Sequence, residues 1–318
     1  MKHILFFLFF SSALFCEKPQ RPWFTGPILA PAGHTVPAGK TNYQPYLFVT
    51  DNYSPDPSWV INPFIQFTRG LTSWMDLKIE TQAFFTFKDH QVGSNLSDFQ
   101  VILGFQAMED NPNGWEPDLR ITFGETFPTG RYEKLNPDKM GADGTGGGSY
   151  ETEVSFNFQK LFHISGDQWL RPRLFLRYAV PAPVTVHEFN TYGGGFGTNG
   201  KVYPGNSFIG ILAFEYAMTQ NWVLALDIQA IYADKTSFSG KKGIDIQSRT
   251  AAQGSGKFNK IGIPAGIGSG KSVQWSYAPA LEYNFTQNLG VIGGVWFTGA
   301  TRNSTEFISY VISINLVL

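Results

Sequence analysis

Trp222-Val223-Leu224-Ala225-Leu226-Asp227-Ile228-Gln229-Ala230-Ile231-Tyr232 reads as an extended strand with two unlike faces. Trp222, Leu224, Leu226, Ile228, Ala230 and Tyr232 share one face, and Val223, Ala225, Asp227, Gln229 and Ile231 share the other. The first face is apolar throughout, whereas the second holds a carboxylate and a carboxamide. Ten steps at about 3.3 Å, tilted by about 40°, rise about 25 Å, the height of the apolar band on a transmembrane barrel. Trp222 and Tyr232 stand at the two ends of the apolar row, where interfacial aromatics belong.

The same alternation recurs on both sides of this stretch. Met75, Leu77, Ile79, Ala83, Phe85 and Phe87 oppose Asp76, Lys78, Glu80 and Gln82, and Leu170, Leu174, Leu176 and Tyr178 oppose Arg171, Arg173 and Arg177. Tyr310, Ile312, Ile314, Leu316 and Leu318 alternate with Ser313 and Asn315, as a strand that closes a ring would. Strands are predicted near 42–50, 59–68, 74–87, 97–108, 117–127, 150–162, 168–179, 206–218, 222–234, 272–286, 289–299 and 304–318. Short connections near 69–73, 109–116, 163–167, 219–221 and 287–288 alternate with longer ones near 51–58, 88–96, 128–149, 180–205, 235–271 and 300–304. This rhythm predicts an all-β fold: a transmembrane antiparallel β-barrel of about twelve strands over residues 42–318. Its short turns are periplasmic, its long loops extracellular, and both ends of the chain lie on the periplasmic side. Tyr46-Leu47-Phe48-Val49 does not alternate, so the first strand is the least regular.

Composition agrees. Of 318 residues only 15% are charged, 16% are aromatic and 34 are Gly, with a net charge of −1 that gives nucleic acid no purchase. Beyond residue 16 no apolar run is long enough for a spanning helix. Residues 1–16 read as a signal peptide: Lys2 and His3, then Ile4 to Phe10, then Ser11, Ser12 and Ala13. Cys16 is the sole cysteine, which excludes an intramolecular disulfide, and Phe15 before it favours cleavage without acylation. Residues 17–41 carry Pro19, Pro22, Pro27, Pro31 and Pro37, which argues for an irregular periplasmic segment at the barrel mouth rather than a ladder strand.

Three stretches carry a family likeness: Trp23-Phe24-Thr25-Gly26-Pro27, Gly33-His34-Thr35-Val36-Pro37 and Gln44-Pro45-Tyr46-Leu47-Phe48. They resemble uncharacterised outer-membrane proteins of intracellular Gram-negative bacteria. Phe123-Gly124-Glu125-Thr126-Phe127-Pro128-Thr129-Gly130 resembles a strand-to-loop motif of the putative MetA-pathway phenol-degradation family. The resemblance spans roughly 23–318. It implies an outer-membrane barrel that passes small, often aromatic compounds, and it brings no catalytic residues.

Residues with chemical potential are few. Ala265-Gly266-Ile267-Gly268-Ser269-Gly270-Lys271-Ser272 fits a phosphate-loop pattern, but it leads into a strand where a phosphate loop opens a helix. His163-Ile164-Ser165 resembles the His-x-Ser of outer-membrane phospholipase A, yet it falls in a predicted periplasmic turn with no Asn between Ser165 and Tyr178. The five histidines are not at metal-ligand spacing, so neither metal nor cofactor is expected. The predicted lumen receives Asp76, Lys78, Glu80, Arg120, Glu151, Glu153, Arg171, Arg173, Arg177, Glu215, Asp227 and Glu282. The constriction candidates among them are Arg171, Arg173, Arg177, Glu153, Glu215, Asp227, Lys78 and Glu80, either as a solute-selecting ring or as paired struts. Glu153 is expected near Arg177, neutral Asn157 near Arg173, and Glu215 near Arg171 or Arg173. The function expected is passage of small solutes across the outer membrane, with small aromatic or hydrophobic compounds among them. The alternative is a lipid-embedded barrel that only displays loops 128–149, 180–205 and 235–271; a lipase ranks third.

Overall fold

In the computed structural model the described residues are 21–244 and 264–318. The segment read as a signal peptide, with Cys16, and much of the loop 235–271 lie outside them. Twelve strands form the wall: β1 (Thr41–Ser54), β2 (Ser58–Gly70), β3 (Met75–Lys88), β4 (Phe99–Met108), β5 (Asp118–Phe127), β6 (Glu151–Gln159), β7 (Gln168–Pro181), β8 (Ser207–Ala217), β9 (Trp222–Ala233), β10 (Ser272–Thr286), β11 (Leu289–Arg302) and β12 (Glu306–Val317). Each pairs antiparallel with the next, and β12 pairs back onto β1, with Leu47 opposite Ile312. The sheet is therefore closed and has no free edge in the membrane.

The wall is apolar outside and polar inside. Along β9, Trp222 and Leu224 are 42% and 47% exposed while Val223 and Asp227 are at 0%. Along β12, Tyr310, Ile312 and Ile314 point out and Ser309, Ser313 and Asn315 point in. The outer face needs lipid, because an apolar surface of this extent has no stable place in water.

The irregular first strand has a physical reason. Tyr46 and Phe48 face the lumen, where they pack with Phe64 and Trp296, and Trp296 packs on Phe307. This part of the inner wall is aromatic, so β1 is apolar on both faces and its period is hidden.

The short turns, 71–74, 109–117, 218–221 and 287–288, gather at one end, with the ends of the barrel; Thr41 N–H donates to the Leu318 carbonyl. Two connections expected to be long are three residues each, 55–57 and 303–305. Pairing there runs on past the apolar band, with Asn52 opposite Ser58. The remaining outer loops fold together. Val184–His187, Asn199–Tyr203 and Ser237–Lys241 form a three-stranded sheet of their own, whose core is Val184, Val186 and Val202 under Tyr132, Tyr192, Phe238 and Ile267.

Candidate functional site in the barrel lumen

Residues 21–40 lie within the barrel, held by hydrogen bonds rather than as a strand. Trp23 N–H donates to the carbonyl of Gln220 in a short turn. Thr25 N–H donates to Glu282 Oε2 at 2.8 Å, and its hydroxyl to Asn284 Oδ1 at 2.9 Å. Leu29 and Ala30 N–H both donate to Asp227, at 3.2 and 3.0 Å. The chain then descends along another part of the wall, with Gly33 N–H on Gln159, Thr35 N–H on Gln106 and Val36 N–H on Asp76. Prolines cannot donate to a ladder, and six of the N–H groups between them are taken up by wall side chains. Ile28 packs among Tyr46, Ala225, Ala278, Ile292 and Val311, and Phe24 lies 3.8 Å beneath the Arg171 guanidinium. Gly33 has to be glycine: a Cβ there would stand 2.6 Å from Gln159 Cβ and 2.8 Å from its backbone N.

All the charged candidates but Asp227 form ion pairs, most of them across strands. Arg171 holds Glu215 through Nε and Nη2 at 2.7 and 2.6 Å, a two-pronged contact deep in the wall. Arg177 joins Glu153 and, at 2.5 Å, Glu151. Lys78 meets Glu80 at 2.5 Å on the same strand, and Arg120 meets Asp76 at 2.6 Å. Buried charges of this kind are held by their partners, and removing one partner strands the other.

One expectation is corrected. Asn157 does not neighbour Arg173, because the turn after β6 closes at Gly166-Asp167 and sets Gln159 opposite Arg173. The Asn157 amide instead donates to the Arg120 carbonyl and the Ser155 hydroxyl. Arg173 lies 2.9 Å from Glu215 through Nε, without hydrogen-bond alignment, and donates from Nη1 to the Ala30 carbonyl at 3.0 Å. It is therefore a link between wall and inner segment rather than a free cation.

The role of residues 21–40 was missed in the sequence, although a signal was present. The predicted lumen held seven acids against five bases. Two acids must go without a basic partner: Asp227 and Glu282 are in no ion pair among the described residues, and their oxygens receive backbone N–H groups of the inner segment instead, while Asp76 accepts Val36 N–H in addition to its pair with Arg120.

Beside the segment is a cavity of about 950 Å³, lined by its residues and by lumen side chains that include Gln44, Gln66, Lys78, Glu80, Arg173 and Arg177. A second space of about 290 Å³ lies between the outer loops and the rim of the wall, with Asp98, Glu151, Tyr192 and Asp234 on its surface. Asp98 ties the rim to the loops by accepting Gly130 and Gly147 N–H at 2.8 and 2.7 Å. Burial, followed by the Asp98 carboxylate, pushes the Tyr192 phenol up to about 12, so it stays a donor to the Gly147 carbonyl at 2.6 Å.

The remaining motifs have other partners. His163 Nε2 contacts the Gly166 carbonyl and Ser165 donates to Gln168, so the two are not joined as base and nucleophile. In the glycine-rich stretch before β10, Ile267 bridges Gly193 and Ser269 bridges Thr236, with no helix following. Among the described residues no three His, Cys, Asp or Glu side chains come together as a metal site.

No family model matches the chain, and no curated protein does. Among solved structures it is similar to the COG4313 outer membrane channel from Pseudomonas putida F1, with a TM-score of 0.62 at 12% identity over 90% of this chain and 97% of that one. The beta domain of the Bordetella autotransporter BrkA gives a TM-score of 0.47 at 10% identity, over 88% of this chain and 100% of its own. The first similarity carries the fold, that of an outer-membrane barrel. With its lipid-facing exterior, the chain is a β-barrel of the Gram-negative outer membrane.

Proposed function

We propose that this barrel is a passage for small solutes across the outer membrane, and that its own residues 21–40 hold it shut. The observation that carries this reading is the segment's attachment. It crosses the lumen beside a 950 Å³ cavity, fixed by hydrogen bonds that single side chains provide. Such a segment can leave without breaking the ladder that keeps the wall closed. The aromatic inner wall at Tyr46, Phe48, Phe64 and Trp296 supports solutes with an apolar face, in line with the small aromatic compounds implied by the family resemblance. The separate sheet of the outer loops, with its own core, favours a second reading, a displayed binding surface on a barrel that passes nothing.

The deciding experiment is single-channel recording of refolded protein in planar bilayers, comparing wild type with Gly33→Ala. The added Cβ has no room against Gln159, so the variant is expected to conduct steadily while wild type opens rarely. A folded Gly33→Ala barrel that neither conducts nor lets small solutes into liposomes would overturn the passage and leave display.

A further inference from the structure

Part of the lumen is lined by amides that nothing among the described residues engages. On β1 and β2 the inward residues face one another in three rows: Asn42 opposite Thr68, Gln44 opposite Gln66, and Tyr46 opposite Phe64. Gln44 and Asn315 are only 8% and 7% exposed. Both line the large cavity, and the buried Oδ1 atoms of Asn42 and Asn315 have no hydrogen-bond partner. Those two oxygens are sealed from the cavity, but the Gln44 and Gln66 amides line it and form no side-chain hydrogen bond among the described residues. Buried polar groups are normally satisfied, so carboxamides left open toward a cavity mark a place for something that satisfies them.

From these rows we infer a binding site for a neutral polyhydroxy ring compound, in size one or two pyranose units. A carboxamide offers two donors beside an acceptor, which suits hydroxyl groups that donate and accept at once. The charged groups next to the rows cancel: Glu80 faces Gln66, Lys78 faces Thr68, and the two join each other at 2.5 Å. The site therefore offers no unpaired charge to an ion. Tyr46 also lines the cavity and gives the C–H face of a sugar ring an aromatic neighbour. Rows repeat about every 7 Å along a strand and lie about 5 Å apart across it, so the two polar rows, with Tyr46 beyond them, match two linked rings. The site names a solute class for the passage proposed above and rests on that reading.

The test is calorimetric titration of the full-length protein in detergent with maltose, glucuronate and phenol, alongside liposome swelling. Maltose is expected to bind saturably and glucuronate at least tenfold more weakly. The Gln44→Leu/Gln66→Leu double variant should lose maltose at least tenfold, with heat-modifiable gel mobility as the folding control. Should that variant not fold, Gln66→Glu keeps the shape, adds a charge, and is expected to weaken maltose similarly. No saturable heat with maltose, equal affinity for glucuronate, or unchanged affinity in the folded variants overturns the site, as does phenol binding more tightly than maltose. If swelling shows passage but maltose does not bind, only the solute class falls. If maltose binds but nothing passes, the passage falls and the solute class falls with it.

Discussion

Arg173 donates from Nη1 to the carbonyl of Ala30 at 3.0 Å while its Nε lies 2.9 Å from Glu215. One guanidinium thus ties the inner segment to the charged wall, and it cannot lose its charge there. Replacing Arg173 with Ala removes the tie and leaves Glu215 shared with Arg171 alone. The variant is expected to open more often and, once open, to favour cations over wild type. Reversal potential under a salt gradient checks this, with heat-modifiable mobility as the folding control. An unchanged reversal potential in a folded, conducting variant would reduce Arg173 to packing.

Asp227 tests the segment from the opposite side. Its two oxygens accept from Leu29 and Ala30, and each buried N–H left without an acceptor costs about 1–3 kcal/mol. Asp227→Ala should therefore loosen residues 21–40 at least tenfold, seen as faster cleavage between Arg21 and Lys40 by added protease in the folded barrel. Asp227→Asn retains one acceptor and should fall between the two. Identical cleavage in all three proteins would mean that the segment is held elsewhere.

What could be read from the sequence follows from range. The outward row on β9 is visible because its period is local, and Glu153 with Arg177 is visible because a single short turn joins their strands. The neighbour of Arg173 is less visible: closing that turn at Gly166-Asp167 instead of one residue earlier slides the pairing by two positions. Tyr46 and Phe48 conceal β1 because the lumen wall there is aromatic. The inner segment is hidden most deeply. Thr25 meets Asn284, 259 residues away, and a segment broken by four prolines, Pro22, Pro27, Pro31 and Pro37, has no period to show where it lies. Only the surplus of acids over bases in the lumen reports it.

The outer-loop sheet should be separable from the barrel. Val186 is at 0% exposure between Val184 and Val202 in its small core. Val186→Asp buries a carboxylate there without a partner, which costs several kcal/mol and unfolds the sheet. Residues 182–206 are expected to become sensitive to protease added to intact cells, while heat-modifiable mobility of the barrel stays as in wild type. Loss of the folded barrel band in this variant would show that loops and wall fold as one unit.

The lipid face gives the most direct check on the wall itself. Leu226 sits in the middle of the outward row of β9, opposite Phe214 on β8 and Pro279 on β10. Gln229, three residues on, points inward and accepts from the Ser276 hydroxyl at 3.2 Å. An arginine at the bilayer midplane costs a barrel about 2–4 kcal/mol, and the penalty fades toward the interfaces. Leu226→Arg should therefore lower the free energy of urea unfolding in lipid vesicles by about that amount. Gln229→Asn shortens a lumen side chain and loses one neutral hydrogen bond, about 1 kcal/mol. Tyr232→Arg, at the end of the same outward row, should cost less than Leu226→Arg because the charge can reach the headgroups. Equal losses at positions 226 and 229 would contradict the facing of the strand. Equal losses at 226 and 232 would place the membrane midplane elsewhere along it.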